Sequence, residues 1–566
     1  MENTAKKPLP IGISDFKKLI DGGYSYVDKT LFIQEIIEKG THVALIPRPR
    51  RFGKTLNLSM LRYFFEKGEK DTSYLFKDLH IWKNEKYRAL QGQFPVLFIS
   101  LKDVKHSSWK ETFKALCKVI AKECERHHTL LEILTPREKE LYYKILSEED
   151  DPTLAEQSLL LLTEWLHRYH KQGVILLIDE YDTPAHAAYI GKYYNTFIDF
   201  IRNWLSAGLK DNPHLERGVL TGILRIAKES IFSGLNNIST FTILNREFQD
   251  KFGLLESEVK ELLEHCGLSD KLPEIRQWYD GYRIGSCAGI HNPWSVLNCI
   301  AKKGALSPYW VNTSDNALMK HLIAIGTDDL KADIEELLRD GVIEKTIEEG
   351  IVFPTLEQSP SAVWSLLLYS GYLTINATPS YGVPCRLCIP NTEVGELYRT
   401  MILDWFKNSL HEHKYRMLLS SLTSGDIDTF SQLFQEFMVS SLSVFDVPPE
   451  ESEKIYHAFV LGMLIGLKDQ YEVKSNRESG LGRYDVMLIP KNRDDLGIIM
   501  EFKKVGRFEK IDLETAVTSA LKQIEDKQYA QELLDRSISR ILYLGFAFEG
   551  KRVLIRSKYF SGRFGI

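Results

Sequence analysis

Cysteine is scarce in this sequence, and long hydrophobic runs are missing. The 566 residues hold seven cysteines, an odd and sparse set unlike that of a small disulfide-rich secreted domain. The longest apolar stretch in a strand pattern, Val174–Ile178, is far too short to cross a bilayer. The N-terminal stretch "MENTAKKPLP" has no apolar core of a secretory signal. These absences argue against a secreted or membrane-spanning protein and predict a cytoplasmic one.

A second metal-binding cysteine pair is also missing. Cys385 and Cys388 have C-x-x-C spacing, but the other cysteines stand singly. Because a structural zinc ion needs four ligands, we expect reduced, partly buried thiols here.

The chain lacks an excess of positive charge as well. Its formal net charge is −5, so no overall basic field marks a nucleic-acid-binding protein. Two local basic patches remain, at residues 48–54 and 503–510. Overall charge therefore neither indicates nor excludes binding to nucleic acid.

The stretch "RPRRFGKT" (48–55) resembles a phosphate-binding loop without its first glycine. The pattern G-x-x-x-x-G-K-[ST] is met by Gly53, Lys54 and Thr55, but Arg48 stands where the first glycine belongs. A strand pattern precedes the stretch and a helical pattern follows it. This order favours a nucleotide site, because the helix N-terminus offers free N–H groups to phosphates. Lys54 would neutralise phosphate charge, and Thr55 would ligate Mg²⁺.

The arginines at the start of this loop leave several roles open. We expect Arg48 to project from the loop. Arg48, Arg50 and Arg51 would touch the γ-phosphate, a partner domain or nucleic acid, or form a solvated face.

A second acidic motif supports the nucleotide site. Four apolar residues run directly into Asp179 and Glu180, which suit a Mg²⁺-holding carboxylate and a water-polarising one. The alternative is a buried strand that ends in a solvated acidic turn. Further on, Thr221 is positioned to sense the γ-phosphate and Arg225 to stabilise transition-state charge, although Arg225 also fits an ordinary helix start.

The length predicts several domains. Near-continuous apolar strands at 94–101, 173–182, 217–224 and 240–244 alternate with helical patterns, which indicates a parallel α/β sheet. We place this domain at 1–245. Residues 246–445 predict a helical lid and a small helix-and-hairpin region of winged-helix-like type, with strand patterns at 365–375 and 385–390. Residues 446–566 predict a second α/β domain, with helices at 453–468 and 512–535.

The C-terminal part carries a candidate metal site. Asp485 lies on one predicted strand, and Glu501 and Lys503 share a face of the next. Two carboxylates on neighbouring strands can share a divalent cation, and Lys503 would position or deprotonate the attacking water or steady the phosphate. The alternative is a surface hairpin with a Glu–Lys pair.

Further side chains fit this site. On the preceding helix, Glu453 would add a carboxylate at the metal, whereas a lone helix histidine such as His457 is more often structural. On the later helix, Gln523 and Tyr529 would contact substrate phosphate, or else form a solvated face.

Together these motifs resemble the AAA-ATPase-like family of bacterial proteins, followed by a PD-(D/E)xK nuclease domain. The segments that carry the resemblance are "FKKLIDGGYSYVDKT", "IPRPRRFGKT", "LLIDEYDTP", "GILRIAKESIFSGLNN", "WYDGYRIG", "NPWSV", "SGLGRYDVMLIP", "IIMEFKKV" and "ALKQIEDKQY". The resemblance implies that an arginine- and proline-rich loop start is usual in the family. It also implies an ATP and Mg²⁺ site at Lys54, Thr55, Asp179 and Glu180, and a nuclease site at Asp485, Glu501 and Lys503.

We therefore expect an ATP-dependent or ATP-regulated DNA nuclease that uses Mg²⁺ or Mn²⁺, with nucleic acid as its partner and a homo-oligomer as a compatible assembly. A role in defence against foreign DNA or in mobile-element biology fits this architecture. The alternatives are a nucleotide-switched protein that binds nucleic acid without cutting it, and an ATPase whose nuclease fold is a scaffold.

Overall fold

The computed structural model describes residues 7–68, 70–226, 237–310, 328–338, 341–351, 353–356, 359–378, 382–410, 412–441, 460–461, 463–475, 478–479, 482–505, 511–549 and 552–560. Residues 1–315 and 342–395 form one compact unit, and residues 316–341 and 396–566 form a second. Within the described ranges, no helix has both the length and the apolar character that crossing a bilayer requires.

Both units contain helices and strands. The helices are α1 (Phe16–Asp21), α2 (Leu31–Glu38), α3 (Lys54–Phe65), α4 (Glu85–Arg88), α5 (Trp109–Arg126), α6 (Pro136–Leu146), α7 (Pro152–His170), α8 (Thr183–Ile190), α9 (Tyr194–Leu209), α10 (Glu256–Cys266), α11 (Leu272–Tyr279), α12 (Pro293–Ala301), α13 (Asp328–Leu338), α14 (Pro360–Ser370), α15 (Thr392–Leu410), α16 (Glu412–Ser424), α17 (Ile427–Ser441), α18 (Leu513–Asp526) and α19 (Gln531–Asp535). The strands are β1 (Val43–Pro47), β2 (Val96–Ser100), β3 (Val174–Asp179), β4 (Leu215–Gly222), β5 (Ile238–Thr240), β6 (Leu254–Leu255), β7 (Tyr282–Ile284), β8 (Cys287–His291), β9 (Ile343–Lys345), β10 (Thr374–Ile375), β11 (Cys385–Cys388), β12 (Tyr471–Ser475), β13 (Glu478–Ser479), β14 (Gly482–Arg483), β15 (Val486–Pro490), β16 (Gly497–Lys504), β17 (Ile541–Glu549) and β18 (Arg552–Tyr559).

The first unit is built on a parallel sheet in the order β2-β3-β4-β1-β5. Every residue of β1 and β3 is buried, as expected for strands covered on both faces. The expected parallel α/β sheet is therefore confirmed. The strand expected at 240–244 is misplaced, since β5 covers Ile238–Thr240. After it, Thr242 and Asn245 close a turn through side-chain hydrogen bonds.

Two small antiparallel sheets, β6-β8-β7 and β10-β11-β9, accompany helices in the rest of this unit. The strand expected at 365–375 is wrong for most of its length. Residues 360–370 form α14, and only Thr374 and Ile375 are extended. The strand expected at 385–390 is present as β11, and both of its cysteines are free and partly buried.

The second unit holds a mixed sheet in the order β12-β15-β16-β17-β18. Strands β16 and β17 are parallel, and the other neighbours are antiparallel. Alternate residues of β16 enter two different cores. Met500 and Phe502 pack with α16 and α17, whereas Ile499 packs against α18 and α19. This confirms a second α/β domain with helices on both faces of its sheet.

The expected long helix at 512–535 is interrupted. Between α18 and α19 the chain turns through Gln528, whose φ of 54° is left-handed, and Tyr529 enters the core. Of the helix expected at 453–468, residues 453–459 lie outside the described part of the chain, and Ile465–Leu467 forms a 3-10 turn.

Candidate functional site

The carboxyl edge of the first sheet gathers three polar side chains. Asp179 ends β3, and Thr221 lies on the neighbouring strand β4. Thr221 Oγ1 donates to Asp179 Oδ1 at 2.9 Å, and Thr55 Oγ1, from the first turn of α3, donates to Asp179 Oδ2 at 2.8 Å. Both carboxylate oxygens are thus oriented by hydroxyls. The Thr221 hydroxyl is directed at Asp179, so in this state it positions the carboxylate.

The phosphate loop has the backbone that its glycine allows. Gly53 has a left-handed φ of 84°, and a Cβ there would meet no atom within 4 Å. A side chain at position 53 would therefore be unfavourable because of the left-handed backbone conformation, and not because of a steric clash. Lys54 follows it and donates from Nζ to the carbonyls of Arg48 and Pro49 at 3.0 and 2.9 Å. The loop thus closes around its own lysine.

The electrostatics of this cluster match an anion and cation site. Burial lowers the pKa of Lys54, against the opposing charges of nearby carboxylates. Burial, together with the charge of Glu180, raises the pKa of Asp179. Both groups are therefore held in surroundings that disfavour their charged forms. Phosphate oxygens and a divalent cation would restore the missing counter-charge.

Glu180 sits at a strained turn directly after β3. Its φ of 51° lies in the left-handed region, which is uncommon for a residue with a Cβ. Thr183 Oγ1 donates to its Oε2 at 3.2 Å. The carboxylate is half-buried beside Asp179, so it remains partly open to solvent at the sheet edge.

Arg48 does not project from the loop, and that expectation is wrong. Its side chain is 0% exposed. Its Nη1 donates to the carbonyls of Pro47 and Phe241 at 2.8 and 2.7 Å, and its Nη2 to that of Glu247 at 3.2 Å. Burial lowers its pKa to about 9, which still leaves the guanidinium charged at neutral pH. Arg48 therefore ties the loop to the segment after β5.

The other arginines have different surroundings. Arg51 is exposed, and its Cζ lies 4.3 Å from the centre of the Trp294 ring. Arg225 Nη1 forms an ion pair with Glu349 Oε2 at 2.8 Å. In this state Arg225 is thus directed at Glu349.

Sequence reasoning missed Asp182. This aspartate is buried, and its Oδ2 accepts from the N–H groups of Ile223 and Leu224 at 2.8 Å each. It therefore fixes the turn after β4, next to Thr221. The signal was a third carboxylate in "DEYD", but the spacing alone does not show which carboxylates face the edge.

The second unit brings Asp485 and Glu501 together. Val486 pairs with Met500 in the antiparallel ladder of β15 and β16, so the residues just outside that pair, Asp485 and Glu501, lie opposite each other. Asp485 Oδ2 accepts from the N–H of Phe502 at 2.7 Å. The ladder thus aligns two carboxylates from different strands.

Glu501 is buried with an unsatisfied oxygen. Its residue is 2% exposed, and its Oε2 has no hydrogen-bond partner among the described residues. Burial and the charge of Asp485 raise the pKa of Glu501 to about 7, against the opposing effect of Lys503. An orphaned buried carboxylate oxygen is costly, and two hard oxygen donors fit Mg²⁺ or Mn²⁺.

Lys503 completes a polar network on the same face of β16. Its Nζ donates to Glu501 Oε1 at 3.1 Å and to Gln523 Oε1 at 2.7 Å. Gln523 Nε2 donates to Glu501 Oε1 and, at 3.2 Å, to the hydroxyl of Tyr529. Tyr529 is 1% exposed and donates to the carbonyl of Arg483 at 2.6 Å. Tyr529 therefore supports Gln523 instead of facing a substrate.

Close packing places Gln523 on this network. At Gly545, which pairs with Glu501 across the parallel ladder, a Cβ would lie 2.8 Å from the carbonyl of Val517 on α18. A side chain there would push α18 away from the sheet. Within the described ranges, no group of three His, Cys, Asp or Glu residues is arranged to hold a metal, and Glu453 lies outside those ranges.

Comparison with protein families divides the chain in the same way. Residues 10–232 match the family described as "Predicted AAA-ATPase", and residues 451–558 match the PD-(D/E)XK nuclease superfamily. The first match contains the phosphate loop and Asp179, and the second contains Asp485, Glu501 and Lys503.

A curated relative spans nearly the whole chain. The protein described as "Uncharacterized protein in vnfD 5'region" of Azotobacter chroococcum mcd 1 is 27% identical over 544 residues, covering 93% of this chain and 94% of that protein. The similarity thus extends across both matched regions. From its N-terminus to its C-terminus, the chain thus resembles the AAA-ATPase-like family over residues 10–232 and the PD-(D/E)XK nuclease superfamily over residues 451–558.

Proposed function

We propose that this protein is a metal-dependent DNA nuclease whose activity depends on, or is regulated by, ATP binding in its N-terminal domain. One observation carries the nuclease half of the proposal. Buried Glu501, whose Oε2 has no hydrogen-bond partner in the described part of the chain, lies opposite Asp485 on the neighbouring strand, with Lys503 on the same face. A stability role alone gives no reason to bury such a group.

The residues of the second site have separable roles. Asp485 and Glu501 would hold a divalent cation, which supplies positive charge to the scissile phosphate and activates water. Lys503 would orient the attacking water or steady the developing phosphate charge. Gln523 bonds both Lys503 and Glu501, so it would keep the lysine aimed at the substrate.

The first site supports ATP binding and hydrolysis. Lys54, now bonded to loop carbonyls, would turn to the β- and γ-phosphates, since a charge-assisted bond to phosphate is stronger than one to a neutral carbonyl. Thr55 and Asp179 would hold Mg²⁺ between them. Glu180, half-buried beside them, would polarise the attacking water.

Cleavage of DNA tests the nuclease half. Purified protein is incubated with plasmid, linear and single-stranded DNA, with Mg²⁺ or Mn²⁺ and ATP, and products are followed on gels. Lys503→Ala is expected to lower the rate by about 100-fold or more. Lys504→Ala is the matched control, because this neighbouring lysine points to the opposite face of β16. Equal rates for wild type and Lys503→Ala would refute the nuclease assignment.

Hydrolysis of ATP tests the other half. Lys54→Ala is expected to abolish ATP binding, whereas Glu180→Gln should bind ATP and lose turnover. Lys39→Ala, a surface lysine of the same unit whose side chain pairs with Glu247, serves as the control. If Lys54→Ala hydrolyses ATP like wild type, the nucleotide site lies elsewhere.

A further inference from the structure

Arg51 and Trp294 meet at the exposed rim of the phosphate loop. Among residues 48–55, Arg51 alone is exposed, and its φ of 66° is left-handed. Its Cζ lies 4.3 Å from the centre of the Trp294 ring. A cation therefore covers an aromatic face directly beside the loop.

The Trp294 ring is held in one orientation. It lies at the start of α12, where the buried side chain of Asn292 accepts a hydrogen bond from the Trp294 N–H at 3.0 Å. The indole Nε1 donates to the carbonyl of Tyr309 at 3.2 Å. An aromatic ring fixed in this way can receive a flat ligand without losing side-chain freedom on binding.

A nucleoside attached to phosphates on the loop would extend to the side of the loop that is open to solvent. Lys54 is buried within the loop, and Asp179 is buried at the sheet edge. The rim at Arg51 is therefore the side of the loop open to solvent. Trp294 lies beside this rim, since its ring contacts the Arg51 guanidinium.

Phosphates on the loop compete with Trp294 for Arg51. Arg51 belongs to the loop that would hold the triphosphate and is three positions before Lys54. Charge-assisted hydrogen bonds to phosphate are stronger than a cation–π contact at an exposed site. The guanidinium is therefore drawn from the ring to the phosphates, which uncovers the aromatic face.

We propose that Trp294 is the platform on which the base of the bound nucleotide stacks, and that Arg51 covers this platform until the phosphates of a nucleoside triphosphate draw it away. This inference rests on the proposed nucleotide site. It assigns nucleoside recognition to the region that follows the parallel sheet, since Trp294 belongs to α12 and not to the α/β core.

The test compares a nucleotide with the same phosphates lacking a base. Binding of ATP and of inorganic tripolyphosphate, each with Mg²⁺, is measured by calorimetry on the full chain. Trp294→Ala is expected to weaken ATP binding about 5- to 100-fold, the range for loss of one base–aromatic stack. Tripolyphosphate should bind the variant at least as tightly as wild type, because Arg51 is no longer held on the ring. Trp294→Phe should retain most of the ATP affinity.

Trp82→Ala is the matched control, because Trp82 also carries an arginine, at 5.9 Å over its ring, but belongs to the 3-10 turn His80–Lys83 and not to the loop or to α12. It should change neither affinity. An unchanged ATP affinity in Trp294→Ala, or equal weakening of both ligands in Trp294→Ala and Trp294→Phe, would overturn the platform while leaving the nucleotide site in place. Failure of the wild type to bind either ligand would overturn both.

Discussion

At the scale of single residues, Arg48 shows how a departure from a motif acquires a structural role. It stands where the phosphate-loop pattern has glycine, and its guanidinium donates to the main-chain carbonyls of Pro47, directly before it, and of Phe241. Phe241 is 193 positions away in the chain, so no local sequence pattern predicts this contact. Lys54, Thr55 and Asp179 were predictable because their spacing and their flanking elements are local.

Replacement of Arg48 should destabilise the first unit. Arg48→Ala would remove the donor to the buried carbonyl of Phe241 and to the partly buried carbonyl of Glu247. Loss of such charged hydrogen bonds costs about 3 kcal/mol. Urea denaturation measures this loss. Arg50→Ala, at a half-buried neighbouring arginine, is expected to stay within about 0.5 kcal/mol of wild type. Equal losses of unfolding free energy in the two variants would contradict the stabilising role assigned to the Arg48 hydrogen bonds.

In the absence of metal, the ionised side chain of Glu501 is expected to lower the free energy of unfolding. Its pKa is raised from 4.5 to about 7, so the folded state binds more protons than the unfolded chain across that interval. Stability then falls as pH rises from about 4.5 to about 7 and changes no further above it. In EDTA, Glu501→Gln is expected to be more stable than wild type by about 1–3 kcal/mol at pH 8 and similar at pH 4.5.

Denaturation at the two pH values checks this expectation. Glu514→Gln, at an exposed position on α18, provides the control for removal of a negative charge. The expectation fails if Glu501→Gln gains the same stability at both pH values, since a gain independent of pH would not come from the titration of this carboxyl.

At the scale of elements, a buried carboxylate links α5 to the edge of the parallel sheet. Glu123 Oε1 accepts from the N–H of Phe98 at 2.7 Å, and Arg126 binds the same carboxylate and the carbonyl of Val96. Burial by itself would raise the pKa of Glu123, but His127 and Arg126 hold it at about 2. The network makes α5 and β2 one structural piece.

Glu123→Gln should therefore weaken the first unit in a pH-dependent way. The depressed pKa contributes about 3 kcal/mol of stability above pH 4.5, and this contribution is lost as pH falls towards 2. The stability difference between wild type and Glu123→Gln should accordingly be large at pH 7 and shrink at pH 3. A difference that stays constant over this range would contradict the account.

Helices and strands were predictable where their pattern is periodic or bounded by turns. Strands β1, β2, β3 and β17 stand out as apolar runs, whereas Ile238 is the single apolar residue of β5. The strand prediction for residues 365–375 was wrong because α14 is buried from Ala362 to Ser370. A helix that is buried on all sides lacks the amphipathic period by which a helix is recognised in a sequence. The break between α18 and α19 depends on the packing of Tyr529 in the core. Local helix propensity does not predict such a tertiary contact.

At the scale of the whole molecule, the two candidate sites lie in separate units. Lys54, Asp179 and Glu180 belong to the first unit, and Asp485, Glu501 and Lys503 belong to the second. Sequence motifs were sufficient to predict both family matches, since each motif is a short run of residues within or next to a buried strand. The carboxylate pairing across β15 and β16 needed the strand register.

The rate of DNA cleavage with and without ATP tests the central claim most directly. It is measured in Mg²⁺ for wild type, Lys54→Ala and Lys503→Ala under identical conditions. We expect ATP to change the wild-type rate about tenfold or more, within the usual range of coupling between two sites. Lys54→Ala should not respond to ATP, and Lys503→Ala should not cut in either condition. A wild-type rate that ATP leaves unchanged, or a Lys54→Ala variant that responds like wild type, would contradict the coupling of the two sites.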